Sequence, residues 1–209
     1  MQRWSSRVFI VLFALSATAN AATFTFDTDP FVGSDALITP GRQIVGGEPF
    51  IDFAIAADAF AFEPTIFGLG DQVLFANDVV GNLPSSGVNV VVLQTTDNDS
   101  DPLTPFGAGN AASLIADQIT APGPGFFIYF NSGLDLPRLV FSTDLDDNTA
   151  DLKILARMTN FVGQSNVLPT FTASNFTLVP EPSSFLLITA AGAIWGVGAA
   201  MRRRRVRAE

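Results

Sequence analysis

Apolar and polar residues alternate in several short stretches of the chain, which is the period of a β-strand with one buried face. In the stretch TFTFD, Phe24 and Phe26 fall on one face, and the stretch DAFAF repeats the arrangement with Phe60 and Phe62. The run VVVL is instead apolar on both faces, which is typical of a central strand covered on two sides. The pattern predicts seven strands, at residues 23–27, 58–62, 89–94, 126–131, 139–143, 151–158 and 171–179.

One stretch has helical spacing. Residues 110–119, NAASLIADQI, bring Ala, Leu and Ile onto one face, and Pro122 closes the segment. Elsewhere Gly and Pro recur every ten residues or so, which favours short strands joined by turns. The sequence therefore predicts a mainly β domain over residues 22–178, as a β-sandwich or an α+β sheet with one short helix.

The composition limits the catalytic and metal-binding chemistry that this chain can carry. The chain has no Cys and no His, which excludes disulfides, Cys/His zinc sites and imidazole catalysis. Carboxylate-pair chemistry remains, but Glu48 and Glu63 are the only Glu in residues 22–179, and Asp is too abundant for any pair to stand out. We expect no catalytic and no cofactor-binding residues, and thus a protein that is not an enzyme.

The charges are unevenly distributed. Residues 22–179 contain four basic residues and eighteen acidic ones, a net charge of −14, although the whole chain carries −9. So acidic a segment repels phosphate backbones, and we expect no nucleic acid partner. Cations are the expected counterions.

The run DNDSD resembles the start of a calcium loop, with carboxylates at alternate positions. The candidate ligands are Asp97, Asp99 and Asp101. The match then ends, because Pro102 stands where an EF-hand needs Gly and Ala108 where it needs Glu. A second acidic loop at residues 144–151 lacks such spacing, and Asp and Asn are also ordinary turn formers. Both loops are thus open to two interpretations, calcium ligands or solvated turns.

The aromatic residues indicate a core. Seventeen of the twenty Phe lie in residues 22–179, mostly at the period of a strand. Trp4 and Trp195 lie near the two ends, so Tyr129 is the only amphipathic aromatic residue between them. Sugar-binding platforms favour Trp and Tyr, and this distribution therefore disfavours a carbohydrate-binding surface.

The first 21 residues have the three parts of a secretory signal peptide. Two Arg precede the apolar run VFIVLFAL, and a small-residue stretch ends at Ala19-Asn20-Ala21. Eight residues rise only about 12 Å as a helix, too little for roughly 30 Å of hydrocarbon. Residues 1–21 are predicted to be removed by signal peptidase after Ala21, with Ala19 as the alternative site.

The C-terminal segment contains a second apolar run. Residues 185–201 are free of charge and span about 25 Å as a helix, close to the minimum for crossing a membrane. A basic cluster follows at once and predicts a cytoplasmic end, with residues 22–178 outside. Its members are Arg202, Arg203, Arg204, Arg205 and Arg207.

Directly before this run lies the tripeptide Pro180-Glu181-Pro182. The two prolines fix φ and keep Glu181 in extended backbone, outside the helix. Pro-Glu-Pro, a short apolar helix and terminal arginines in this order resemble the PEP-CTERM sorting signal of Gram-negative bacteria, here over residues 179–209. The resemblance implies recognition by an exosortase, cleavage near residues 180–182 and transfer to the cell surface, commonly beside exopolysaccharide systems.

Two functional hypotheses follow. The first is a non-catalytic surface or extracellular-matrix protein, which is held in the inner membrane as a precursor and then sorted. Signal peptidase and exosortase are its expected processing enzymes, and exopolysaccharide is a candidate partner. The alternative is a calcium-assisted or carbohydrate-directed binding module at the cell surface. The tripeptide also fits a stiff linker before a permanent membrane anchor.

Overall fold

The computed structural model describes residues 21–179, which form two β-sheets and two short α-helices. The strands are β1 (Thr23–Phe26), β2 (Ile44–Val45), β3 (Phe50–Ile51), β4 (Ala59–Phe62), β5 (Phe75–Asp78), β6 (Val90–Leu93), β7 (Gly125–Asn131), β8 (Leu136–Ser142), β9 (Leu152–Met158) and β10 (Phe176–Leu178). The helices are α1 (Pro64–Phe67) and α2 (Ala108–Ala116). Turns of 3₁₀ helix occupy Val80–Asn82, Thr159–Phe161, Ser165–Thr170 and Ala173–Asn175.

The larger sheet has the strand order β2-β9-β8-β7-β6-β5, and β3 also pairs with β9. Strands β7, β8 and β9 form an antiparallel meander, whereas β5, β6 and β7 run parallel. Parallel neighbours need a crossover connection, and α2 lies in the one between β6 and β7. Both β2 and β3 are parallel to β9.

The smaller sheet consists of β1, β4 and β10, all parallel, with β4 in the middle. The register sets Phe24, Phe60 and Phe176 side by side across the three strands. Side chains at aligned positions of neighbouring strands lie on the same face. This sheet therefore presents phenylalanine rings to the larger sheet.

The main core lies between the two sheets. Phe62 of β4 stacks on Phe126 of β7 with ring centroids 3.7 Å apart, and Phe53 stacks on Phe60 at 4.3 Å. All four rings are fully buried. Aromatic contacts across the sheets thus hold the two layers together.

A second core covers the opposite face of the larger sheet. It contains Val91 of β6, Phe127 and Tyr129 of β7, and the α2 residues Ala111 and Ile115. The small side chains on this face of α2 bring the helix close to the strands. As a result, the central strands are buried on both faces.

The prediction of a mainly β fold is confirmed for residues 21–179. Six predicted strands occur as β1, β4, β6, β7, β8 and β9, and every residue of β6 is buried, as the run VVVL predicts. The predicted helix at 110–119 occurs as α2, shifted towards the N-terminus. The strand predicted at 171–179 is largely wrong, because only Phe176–Leu178 is extended. Hydrogen bonds of Asn175 with Thr172 favour a 3₁₀ turn before it.

Three strands and one helix were not predicted. The two-residue strands β2 and β3 depend on pairing with β9, far along the chain, and β5 contains a single large apolar residue, Phe75. The single turn of α1 has local signals, since Pro64 begins it and Gly68 ends it at φ +65°.

The predicted signal peptide lies, except for Ala21, outside the described residues. The sorting signal from Pro180 onwards lies outside them as well. Within residues 21–179, no helix is long and apolar enough to cross a membrane.

We predict that Phe62→Ala lowers the free energy of unfolding by about 3–5 kcal/mol, because it removes a buried ring and leaves a cavity at the contact between the sheets. Urea unfolding followed by circular dichroism measures the loss. Leu103→Ala is the control, since Leu103 is 87% exposed and its truncation should change stability by at most about 0.5 kcal/mol. Equal effects of the two substitutions would contradict the packing described above.

Candidate functional site

The most concentrated group of buried charges in residues 21–179 centres on Glu48. This residue lies in the break between β2 and β3, where Gly47 adopts φ +89°, a conformation that favours glycine. The break turns the Glu48 side chain inwards, where only 1% of it is exposed. A carboxylate buried to this degree needs charged or hydrogen-bonding partners.

Two arginines supply them. Arg138 of β8 and Arg157 of β9 are direct partners in the antiparallel register, so their like charges lie side by side. Glu48 Oε1 accepts hydrogen bonds from Arg138 Nη2 and from Arg157 Nε, the latter at 2.5 Å. One carboxylate oxygen therefore bridges both guanidinium groups and offsets their repulsion.

The network continues into the sheet. Arg138 Nη1 lies 3.4 Å from the Tyr129 hydroxyl, and Asn131 Nδ2 donates to the same hydroxyl at 2.9 Å. We call these five residues, Glu48, Tyr129, Asn131, Arg138 and Arg157, the Glu48 cluster. Burial raises the pKa of Tyr129, and its neighbours Asn131 and Arg138 only partly oppose that effect. Tyr129 is thus a buried, neutral member of the cluster and is not available to stack on a sugar.

The electrostatics keep Glu48 ionised. Burial is the largest single effect and would raise its pKa. The hydrogen bonds from Arg157, the backbone and Arg138, with the positive charge of Arg138, together outweigh burial, and the pKa of Glu48 is lowered. A carboxylate with a lowered pKa is a poor general base and carries no proton to donate as an acid. The hydrogen bonds of Glu48 therefore connect the segment between β2 and β3 to β8 and β9.

Two polar atoms of the cluster remain without hydrogen-bond partners among the described residues, Glu48 Oε2 and Arg138 Nε. A cleft of about 370 Å³ adjoins Glu48, between β1 and β9. Of its other charged residues, Lys153 Nζ donates to the Gly46 carbonyl at 2.7 Å and Asp29 Oδ1 accepts from the Phe31 backbone at 2.9 Å. The cleft has the volume of a small-ligand site.

All four basic residues of the segment 22–179 donate hydrogen bonds to other groups of the fold. Besides the three already named, Arg42 donates from Nη1 to the Gly109 carbonyl at 2.6 Å and from Nη2 to the Asn148 carbonyl. Burial lowers the pKa of Arg42, and Asp147 partly opposes this. Arg42 thereby ties α2 to the loop at residues 144–151.

The structure places the candidate calcium ligands in a series of exposed turns. Asp97 Oδ1 accepts from the Asp99 backbone at 3.1 Å, and Asp99 Oδ1 accepts from the Asp101 backbone at 2.9 Å. Asp101 Oδ1 accepts in turn from Leu103. The backbone N–H of Asp99 lowers the pKa of Asp97. Within residues 21–179, no three acidic side chains are grouped as a metal site.

The second acidic loop also serves the fold. Buried Asp151 accepts from the Leu37 backbone at 2.7 Å and from the Gln43 backbone at 2.6 Å, which fixes the long loop before β2. Asp144 accepts from Gly123 at 2.9 Å. These carboxylates satisfy backbone donors of neighbouring loops.

The remaining predicted sites lie at the ends of the chain. Ala21 is exposed at the start of the described residues. Outside them lie Ala19, Pro180, Glu181, Pro182, Arg202, Arg203, Arg204, Arg205 and Arg207.

No protein-family model, curated protein or solved structure matches this chain.

Sequence reasoning missed the Glu48 cluster, although a signal was present. Arg138 and Arg157 lie beside or within strongly apolar strand segments, and a charge in such a segment needs a partner. The identity of that partner depends on a contact between residues about a hundred positions apart, which no local pattern reports.

We predict that Glu48→Gln lowers the free energy of unfolding by about 3 kcal/mol, because it leaves two adjacent arginines without a counterion. This is the lower end of the usual range, since the Arg157 side chain is 28% exposed. The matched control is Glu63→Gln, the other Glu of the region, which caps α1 and should cost at most about 1 kcal/mol. A loss no greater than that of the control would show that the pairs contribute little.

Glu48→Gln should also change how the stability of the protein depends on pH. The pKa of Glu48 is lower in the folded protein than in the unfolded chain, so its stabilisation is complete above the unfolded value of about 4.3 and is lost as pH falls through the folded value. The stability difference between wild type and Glu48→Gln should therefore shrink below about pH 4. Urea midpoints at pH 7, 5 and 3 measure it. A difference that stays constant to pH 3 would contradict the lowered pKa.

Proposed function

We propose that this chain is a non-catalytic exported protein of the cell surface or extracellular matrix, sorted by an exosortase in a Gram-negative bacterium. The observation that carries the proposal is the order of its terminal features. A signal peptide at 1–21 is followed, at the other end, by Pro180-Glu181-Pro182, the apolar run 185–201 and the cluster Arg202 to Arg207.

The two ends of the folded region lie directly beside these terminal features, which supports the proposal. Strand β1 begins at Thr23, shortly after Ala21, and the Val179 backbone N–H donates to the Phe62 carbonyl at 2.8 Å, just before Pro180. Since β1 and β10 run parallel on either side of β4, the chain enters the small sheet at one end and leaves it at the other. Two processing enzymes would then approach opposite ends of the folded region.

The use of the charged residues supports a non-catalytic role. Buried Glu48 and Asp151 bind arginines and backbone N–H groups, and the four basic residues of 22–179 contact the fold. The excess of acidic residues makes nucleic acid an unfavourable partner and leaves cations or neutral exopolysaccharide as candidates.

The alternative of a calcium-assisted or carbohydrate-directed module has less support. The carboxylates at residues 97–101 bind the backbone of their own turns, and Tyr129 is fully buried. We therefore propose that the protein is exported, held in the inner membrane as a precursor and then transferred to the cell surface.

Processing gives a test based on tryptophan. Removal of residues 1–21 deletes Trp4, and cleavage near residues 180–182 deletes Trp195, so the mature protein should contain none. Its intact mass should correspond to a chain that begins at Ala22 and lacks the terminal arginines. Its emission should come from Tyr129 and phenylalanine.

We predict that Glu181→Ala leaves export intact but retains a Trp195-containing form in the membrane, because the substitution removes the carboxylate of the sorting motif. Fractionation, tryptophan emission and intact mass measure the retention. The control is Ser183→Ala, one residue beyond the motif, which should be processed like wild type. Wild type that keeps Trp195 and its arginines in a cell with an exosortase would refute sorting and indicate a permanent anchor.

A further inference from the structure

Asp58 is a buried carboxylate at the start of β4. It is 5% exposed, and its two oxygens accept hydrogen bonds from two different segments. Oδ1 accepts from the Ala22 backbone nitrogen at 2.7 Å, and Oδ2 accepts from the Ala54 backbone nitrogen at 2.8 Å. Within residues 21–179, the only ion pairs are those of Glu48, so Asp58 has no cationic side chain as a counterion.

A comparison with Asp151 shows what is particular to Asp58. Asp151 is also buried and accepts from two backbone N–H groups, those of Leu37 and Gln43, which lie inside the chain. One donor to Asp58 is instead Ala22, the residue that follows the predicted signal-peptidase site. Cleavage there would change the chemical nature of this donor.

The change follows from the hydrolysis. One water molecule breaks the bond between the Ala21 carbonyl carbon and the Ala22 nitrogen. Its hydroxyl joins the carbonyl carbon and its hydrogen joins the nitrogen, and the resulting amine is protonated near pH 6.5. A neutral amide donor at 2.7 Å from a buried carboxylate thereby becomes an ammonium group.

We infer that Asp58 is the binding site for the new amino terminus at Ala22, and that signal-peptide removal completes an ion pair that fastens β1 to β4. The inference rests on the proposed export of the protein.

The backbone already holds Ala22 in position for this pair. The Ala22 carbonyl accepts from the Ala59 backbone at 3.0 Å, and the parallel register continues at once with Thr23 beside Ala59. Little additional ordering is needed, because pairing between β1 and β4 fixes the nitrogen next to Asp58. The Ala22 amide already donates to a charged group, and an ammonium in its place adds the attraction between opposite charges to the same hydrogen bond.

The choice of cleavage site matters for the same reason. Cleavage after Ala19 would leave Asn20 and Ala21 in front of Ala22, and the charged amine would lie two residues from the nitrogen that contacts Asp58. Only cleavage after Ala21 creates the charge at the contact itself. The two predicted sites therefore produce chains that differ in this pair.

The test compares two otherwise complete chains, residues 22–209 and residues 20–209, in the same mild detergent at pH 6.5. Each is released from a fusion partner by a protease that leaves no extra residue. Both are also made with Asp58→Asn. Thermal unfolding by circular dichroism should give the chain that begins at Ala22 a Tm higher by about 3–6 °C, and Asp58→Asn should remove this difference.

Two outcomes would overturn the inference. Equal Tm values for the two chains that retain Asp58 would show that the charge at Ala22 adds nothing. A difference that persists with Asp58→Asn would show that the effect does not pass through Asp58.

A second measurement does not depend on the folding of Asp58→Asn. The amine of Ala22 should react with cyanate about tenfold more slowly than the amine of Asn20, relative to Lys153 within each chain, because the ion pair favours the protonated amine, which does not react with cyanate. Equal relative rates would overturn the inference. Since both chains have defined starts, these results are independent of whether cells export and process the protein, which the mass of native material tests separately.

Discussion

Complete burial of β7 is the constraint on which the rest of the structure depends. All seven residues of this strand, GFFIYFN, are buried, so both of its faces need a cover. Phenylalanines of the small sheet cover one face, where Phe62 stacks on Phe126, and α2 covers the other through side chains such as Ile115. The parallel pairing of β6 with β7 follows from the same requirement, because the crossover between them carries the covering helix.

Two-sided burial also determines where charge can be accommodated. Arg138 and Arg157 occupy central strands of the larger sheet, and they are tolerated because Glu48 reaches them from the break between β2 and β3. Such a group favours one register, since a shift of β8 against β9 would separate the two guanidinium groups that share Glu48 Oε1. The pairs therefore bear on the uniqueness of the fold.

The sequence predicts elements whose signals are local. Alternating phenylalanines identify β1 and β4, and the run VVVL identifies β6 as a strand covered on both faces. The short strands β2 and β3 leave no such pattern, because they are extended only where β9 pairs with them. The Glu48 cluster is missed for the same reason: its residue types are visible, but their proximity is a property of the sheet topology.

The small sheet connects the fold to the proposed processing of the chain. Its central strand β4 is flanked by β1, which begins just after the predicted signal peptide, and by β10, which ends just before the predicted sorting motif. Edge strands this short open more readily than the central sheet, because few contacts hold them. Val179 is held by one backbone hydrogen bond to Phe62, whereas Ala22 contacts both Asp58 and Ala59. If the new amino terminus pairs with Asp58, the first cleavage strengthens the contact on one side of β4 while the other side remains a hydrogen bond between neutral groups. The two proposed processing steps would then differ in their consequences for the fold: the first would stabilise the small sheet, and the second would separate it from the predicted membrane segment.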